Sequence, residues 1–469
     1  MFKDINELLE DLNAKSSKLA SKPLPPVRKK AGKAQWTAAD LVSLGGIAWT
    51  LPSDPAWVMA DPPEGFVPSP DQEAAVRALL DRAAAGERVL VLTGPAGSGK
   101  TTIMRWLASI FTANHWSIEY LAPTGKAAAR LKVVTGAPFA FTIHGAIYEV
   151  FDDGGTAGSV SFRDPHPPCT DGTLVICDEA SMVDQALHTD LVGQMPKGAI
   201  LLYVGDREQL PPISGLWGPN FTSPTATLGT VHRQAAGNPI LGLASSIRAN
   251  QPFDWSTGGE QVRVVSGPIA DAVTWITDRC TAGADATALT WTNDVRKTLN
   301  AQCRARLGRT ETFEPGDLIV IRANNRNVGV MNGEVYRVDR ARALPRGATT
   351  NPLLWELFLE GRGSRTLLAM EAYVGVERGE FYGAIKNLPR KEAAKAAQFP
   401  SYRMLEITHL DHGYCLTVHA AQGSEWKDVL FVSDRATENK CARDRDFGRR
   451  FLYTAVTRAR ETLTWWRLQ

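Results

Sequence analysis

The chain has 469 residues, enough for about three domains at roughly 150 residues each. Its 44% hydrophobic and 22% charged residues are ordinary for a soluble globular protein and exclude disordered, collagen-like and disulfide-stapled classes. With 52 Lys+Arg against 50 Asp+Glu the formal net charge is +2, so bulk electrostatics demand no polyanionic partner and leave a local basic groove open.

Residues 1–12 form an amphipathic stripe (Phe2, Ile5, Leu8, Leu9, Leu12) without the basic start of a signal peptide. The longest apolar runs, LVIC and AILLYV, are far too short to span a membrane, so a cytoplasmic protein without membrane association is expected. A basic, Pro-containing stretch over 13–35 reads as a linker, and 36–70 is rich in Trp and Pro without clear periodicity. Residues 1–70 are therefore read as an N-terminal extension. From residue 72 the pattern changes. Ala74, Val76, Leu79 and Leu80 mark a helix, and RVLVLT (88–93), IEYLAP (118–123), TLVICDE (173–179) and AILLYVGD (199–206) read as strands separated by helices. Continuous apolar strands alternating with helices predict a parallel α/β sheet. A second such set begins after 235, with strands near ATALTWT (286–292) and VLFVSD (429–434). Between them, 313–405 carries short strands punctuated by Asn-Gly and Gly, the pattern of a small barrel. Six cysteines lack any C-x-x-C pair and read as reduced thiols. His409, His412 and Cys415 recur every third residue, but no fourth ligand stands at a usual spacing, which favours strand and loop over zinc.

The chemistry is carried by a few short segments. Gly94, Pro95, Ala96, Gly97, Ser98, Gly99, Lys100 and Thr101, followed by Thr102, fit G-x-x-x-x-G-K-[ST] between a strand and a helix. Such glycines let backbone N–H groups converge on phosphate at a helix N-terminus. Lys100 is placed to reach β- and γ-phosphates, and Thr101 to ligate Mg²⁺. The strand LVIC ends in Asp178 and Glu179, assigned to the metal and to the attacking water. GDREQLPPI (205–213) brings Asp206 and Gln209 to the same sheet edge, where open α/β sheets bind ligands. These residues alone specify an NTPase.

GPAGSGKTT, CDEAS, GDREQLPPI, VHRQ, TVHAAQGSEW and YTAVTRARE occur in the order seen in superfamily 1 helicases. The chain resembles the RecD-like and phage Dda-like branch, superfamily 1B, from about Gln72 to Trp466. The resemblance implies an α/β fold of two RecA-like P-loop NTPase domains, at 71–235 and at 236–312 plus 406–469. It further implies a β-hairpin insert in the first (about 149–165) and an SH3-like β-barrel insert in the second (313–405). It makes Gln72 an adenine reader, although an isolated helical Gln is also an ordinary surface residue. Pro123 and Thr124 in LAPTGKAAARL, and Thr142 and His144 in FTIHGAIY, match positions that contact single-stranded DNA; for His144 a packed core histidine is the alternative. Gln209 matches the γ-phosphate sensor, Arg233 a second γ-phosphate contact and Arg458 the arginine finger. In TVHAAQGSEW, Thr417 and His419 face DNA, while Gln422, Gly423 and Glu425 face nucleotide. In such helicases the hairpin is a duplex-splitting pin, yet its tip here, at 154–158, has no aromatic.

The resulting expectation is an ATP-dependent DNA helicase, moving 5′→3′ on single-stranded DNA, acting on forks as a monomer and serving replication or recombination. Four rivals stay open at this stage: a superfamily 1 RNA helicase, a DNA-stimulated translocase without strand separation, a P-loop kinase and a non-enzymatic single-strand binder.

Overall fold

The structure is a computed structural model that describes residues 57–151, 159–162, 172–212, 214–230, 238–251, 258–325, 327–344, 354–388 and 391–469, the last without 392, 393, 396, 397 and 399. Arg233, the hairpin tip at 154–158 and the extension up to residue 56 lie outside the described residues.

The first α/β unit opens with α1 (Pro70–Ala84), whose start is set by Ser69 and by Pro70 at the first helical position. It buries Gln72, Ala75, Val76, Leu79, Leu80 and Ala83, one face of a 3.6-residue repeat. Ala74, read from the sequence as part of that stripe, is exposed. There follow β1 (Val89–Thr93), α2 (Lys100–Ala113), β2 (Ser117–Ala122), α3 (Gly125–Thr135), β3 (Phe141–Thr142) and α4 (Ile143–Ile147). The hairpin strands β4 (Tyr148–Phe151) and β5 (Ser159–Phe162) pair antiparallel, Tyr148 opposite Phe162 and Phe151 opposite Ser159. The chain continues through β6 (Thr173–Cys177), α5 (Gln185–Gln194), β7 (Ile200–Gly205) and β8 (Ala226–Thr227). These strands form a six-stranded parallel sheet in the order β3-β2-β6-β7-β1-β8. β6 and β7 are buried along their whole length, because helices cover both faces of a parallel sheet. Leu90, Leu92, Ile103, Leu107, Phe111, Ile176 and Leu202 make the core between the layers.

The second unit contains α6 (Pro239–Ala249), β9 (Val262–Gly267), α7 (Ile269–Thr281), β10 (Ala286–Thr290) and α8 (Asn293–Arg306). A β-rich segment then interrupts it with β11 (Leu318–Ile321), β12 (Val335–Ala343), β13 (Leu354–Leu359), β14 (Thr366–Met370), α9 (Arg378–Asn387) and β15 (Leu410–His412). The chain returns through β16 (Cys415–Thr417), β17 (Trp426–Ser433), α10 (Arg435–Arg443), α11 (Arg445–Val456) and β18 (Ala459–Leu468). The second sheet is parallel, in the order β16-β10-β17-β18-β9. The interrupting strands form a separate antiparallel sheet, β14-β13-β12-β11-β15, around Phe313, Ile319, Val338, Trp355 and Leu357. This sheet takes its fifth strand from 410–412, past the boundary that the sequence reading sets at 405. Three residues, Leu410-Asp411-His412, are too short to show a period, so pairing with β11 places them rather than any local signal.

Buried charge fastens the insert to its unit. Arg296 of α8, 2% exposed, pairs with Asp411, and Asp317 accepts from Tyr414 Oη at 2.6 Å and from Arg304 Nη2 at 3.2 Å. His409 and His412 direct Nε2 to the carbonyls of Val376 and Thr312 rather than toward a shared centre, and no group of three metal-ligating side chains occurs among the described residues. Among them too, no helix is long and apolar enough to cross a membrane. Asp411→Ala strands the Arg296 guanidinium in a buried site, so destabilisation of about 3–5 kcal/mol is expected. Thermal or urea unfolding of the variant checks this; an unchanged midpoint refutes the role of the pair.

Candidate active site

Spatial order, not chain order, assembles the site. β6, β7 and β1 are neighbours in the first sheet, so the loops leaving their C-terminal ends stand side by side. Those loops carry Asp178 and Glu179, then Asp206 and Gln209, then residues 94–100. β2 and β3 continue the same edge with Pro123–Thr124 and Thr142–His144.

The loop after β1 has the shape a phosphate cradle needs. Gly97 (φ 78°) and Gly99 (φ 84°) are left-handed, a region open to glycine at no steric cost. At Gly94 an added Cβ would stand 2.9 Å from Leu228 Cβ, so the loop closes only without a side chain there. Lys100 Nζ donates to the carbonyls of Gly94 (2.8 Å) and Pro95 (2.9 Å), which folds the ammonium over the loop. Gln72 is wholly buried: its Oε1 accepts from Ser69 N–H at 3.0 Å and its Nε2 donates to Ser98 O at 3.0 Å. The surface alternative for Gln72 is thereby corrected. Its carboxamide caps α1 and braces the cradle, because it joins Ser69 N–H to Ser98 O. Thr101 and Thr102 are half-buried at the start of α2.

Burial first, and then the adjacent Glu179 carboxylate, push Asp178 up to about 6, against the pull of Lys100 and Arg130. Glu179 itself is left-handed (φ 53°), a conformation that costs a non-glycine residue free energy and marks a functional constraint. Gly423, at φ 72°, packs on it: a Cβ there would lie 3.8 Å from Glu179 Cγ and 3.1 Å from Ala127 Cβ. Glu425 is exposed and pairs with Arg130 Nη2 at 3.0 Å. Gln209 is buried, and its Oε1 has no hydrogen-bond partner among the described residues. Such an acceptor is costly unless a further group satisfies it.

The second unit meets these loops along one face of α11. Arg449 pairs with Glu208, Arg450 donates to Arg207 O, Tyr453 Oη donates to Asp206 Oδ2 at 2.6 Å, and Thr454 Oγ1 accepts from Leu210 N–H at 2.9 Å. Tyr453 Oη also accepts from Ala96 N–H at 3.0 Å, and Gln422 Nε2 donates to Leu210 O at 3.2 Å. Just past the helix, Arg458 is 2% exposed; its guanidinium donates to Thr454 O, Ser424 O and Thr457 Oγ1, each at 3.0 Å. It thus stands beside the turn that touches Glu179, with its donors directed into its own unit. Sequence reading overlooked Tyr453, Thr454, Arg449 and Arg450, although their helical spacing (i, i+1, i+4, i+5) marks one face of α11.

The residues assigned to a nucleic acid strand share a different feature. Thr124, Thr142 and Thr417 each follow or end a strand, and each hydroxyl caps the next turn, accepting from Ala127, Gly145 and Ala420 N–H. Pro123 and His419 are half-buried, and burial lowers His419 below its ordinary pKa. His144 is exposed at the surface, while burial of part of the ring lowers its pKa below the ordinary value.

Residues 68–266 match the AAA domain family, and residues 412–464 match the UvrD-like helicase C-terminal domain. The chain is 30% identical over 406 residues to the ATP-dependent RecD2 DNA helicase of Deinococcus radiodurans, covering 82% of this chain and 47% of that protein. It is 28% identical over 198 residues to the ATP-dependent DNA helicase dda of Enterobacteria phage T4, covering 39% and 43% respectively. Among solved structures, Pif1 helicase from Bacteroides in complex with ADP-AlF3 and ssDNA matches with a TM-score of 0.48 at 14% identity, over 85% of this chain and 92% of that one. The chain spans less than half the length of these curated relatives.

Two substitutions separate binding from chemistry. Lys100→Ala is expected to weaken nucleotide binding itself. Glu179→Gln is expected to keep binding within a few-fold and lower turnover by about 10²–10⁴, the usual worth of a general base. Fluorescent-nucleotide titration and a phosphate-release assay check both; near wild-type turnover by Glu179→Gln refutes the assignment.

Proposed function

Because the chain belongs to the helicases of superfamily 1B, we propose that it is an ATP-dependent DNA helicase that moves 5′→3′ along a single strand. The observation that carries this reading is the meeting, at one interface, of a phosphate cradle, two acids and an arginine-bearing helix from a second parallel α/β unit. A kinase or simple phosphotransferase has no need of the second unit.

The cradle fits a triphosphate: its left-handed glycines turn N–H groups inward, and Lys100 supplies a cation at its rim. Thr101 and Asp178 fit Mg²⁺ as hydroxyl and carboxylate oxygen donors, and that ion when bound offsets phosphate charge. Glu179 takes the proton of the attacking water as the bond between the γ-phosphorus and the bridging oxygen breaks, leaving ADP and phosphate. Gln209, whose buried Oε1 has no hydrogen-bond partner among the described residues, serves as sensor of the same centre. Arg458 turns from its present carbonyl partners to neutralise charge on the transferred group. Arg233 serves as a further γ-phosphate contact. Gln72 supports nucleotide binding through the loop it braces, in addition to the adenine contact that the resemblance implies. Gly423 and Glu425, beside Glu179 and Arg130, relay nucleotide state to the turn that begins at Thr417.

Single-stranded DNA then lies along the strand ends that carry Pro123, Thr124, Thr142, His144, Thr417 and His419. The units at 71–235 and at 236–312 plus 406–469 act as two RecA-like motor domains. The hairpin β4–β5 serves as the wedge and the 313–405 insert as an SH3-like module. Both accessory parts favour the 5′→3′ direction, since large helical inserts accompany the opposite one. Replication forks and recombination intermediates are the natural DNA partners, bound by a monomer.

A strand-displacement assay with 5′-tailed, 3′-tailed and forked duplexes tests this. Unwinding of 5′-tailed and forked substrates with ATP is expected, with loading that falls steeply with salt. Equal or better unwinding of the 3′-tailed duplex contradicts the direction. Deleting 154–158 is expected to impair unwinding while sparing DNA-stimulated hydrolysis; normal unwinding by that variant removes the wedge.

A further inference from the structure

We infer that Tyr453 is a positioning residue: its buried hydroxyl registers the second unit on the phosphate loop and thereby fixes where Arg458 stands. The inference rests on the proposed ATP hydrolysis and adds to it a residue that holds the two halves of the site in register.

Tyr453 is 1% exposed, in the third turn of α11. Its Oη makes two bonds, and both cross to the first unit. It donates to Asp206 Oδ2 at 2.6 Å and accepts from Ala96 N–H at 3.0 Å. One oxygen thus joins two loops of the first unit, those leaving β1 and β7, to a helix of the second. The chemistry of each partner suits that bridge. Burial raises the Tyr453 hydroxyl well above its ordinary range, so it stays protonated and donates. Asp206 is 1% exposed, and its other carboxylate oxygen accepts from Glu208 N–H at 3.0 Å, so the loop holds it in place to receive the bond. A phenylalanine would fill the same volume and leave the Asp206 carboxylate and the partly buried Ala96 N–H each short of one partner, while Glu208 N–H still serves Asp206.

Arg458 inherits its position from this bridge. Among the described residues its three hydrogen bonds all go to its own unit: Thr454 O, Ser424 O and Thr457 Oγ1. The backbone of Arg458 is therefore carried by the end of α11, and among the described residues no bond of its guanidinium ties it to the phosphate loop. Its distance from that loop depends on how α11 docks. Four residues of α11 bond across to the first unit, and among the described residues Tyr453 alone of these bonds the phosphate loop. Arg449, Arg450 and Thr454 reach the neighbouring loop at Arg207, Glu208 and Leu210. A shift of less than an ångström at Tyr453 would move Arg458 against a charge that develops over a similar distance.

The full-length chain carrying Tyr453→Phe, assayed for ATP hydrolysis with an oligo-dT activator, tests the inference. The expected result is kcat lowered roughly tenfold, the size of a lost hydrogen bond to a charged group, with KM for ATP within about threefold of wild type. The thermal midpoint should stay within about two degrees. Combined with Arg458→Ala, the substitution should add no further loss, because both remove the same contribution. Wild-type kcat in Tyr453→Phe overturns the inference. So does a loss that multiplies with that of Arg458→Ala, or a loss matched by a fall in thermal midpoint, which would mark a merely structural residue. Absence of hydrolysis by the wild-type chain would instead overturn the proposed function, and this inference with it.

Discussion

Parallel strands deliver all their C-terminal ends to one edge of a sheet, and the site described here depends on that constraint. The acids after β6, the Asp206 loop after β7 and the phosphate cradle after β1 are far apart in the chain, yet they leave three neighbouring strands. No loop has to reach for another. Each needs local chemistry alone: left-handed glycines at 97 and 99, a left-handed Glu179, and Gln72 bracing the cradle. The same edge continues through β2 and β3, so the residues assigned to a nucleic acid strand and those assigned to the nucleotide lie on a single structural shelf.

A shelf of this kind binds; a second surface is needed to make binding move anything. α11 supplies it through contacts at i, i+1, i+4 and i+5 onto residues 206–210, with the turn at 418–424 packed against Glu179 and Ala127. These contacts are polar and individually modest, each worth about 0.5–1.5 kcal/mol, or more where charge is involved. That scale suits the proposed motor, in which this interface would close and reopen in each cycle. The insert is fastened in the opposite way. The buried pair Arg296–Asp411 and the Tyr414–Asp317–Arg304 cluster tie it to α8 and its unit through buried charge.

Much of this was legible in the sequence. The cradle announces itself because glycine, lysine and threonine at fixed spacing between a strand and a helix have few other uses. β1, β2, β6, β7, β10 and β17 show as apolar runs, whereas β9, β16 and β18 of the second sheet, short or interrupted by polar residues, were not read from the sequence. The end of the insert was not legible, because β15 has three residues and is defined by its partner β11. Nor was the burial of Gln72, since helical periodicity sets a face but not what covers it. Tyr453 escaped for a related reason. A tyrosine on the apolar face of an amphipathic helix reads as core, and the two partners of its hydroxyl lie 357 and 247 residues away. Long-range hydrogen bonds leave no period behind them.

The central claim is that nucleotide hydrolysis at the interface is coupled to a single DNA strand on the shelf. Its most direct measurement is steady-state ATP hydrolysis by the purified chain, without oligonucleotide and with matched deoxy- and ribo-oligonucleotides. The account predicts weak hydrolysis alone and strong stimulation by single-stranded DNA, lost in Glu179→Gln. Hydrolysis indifferent to DNA, or stimulated by RNA instead, would contradict it.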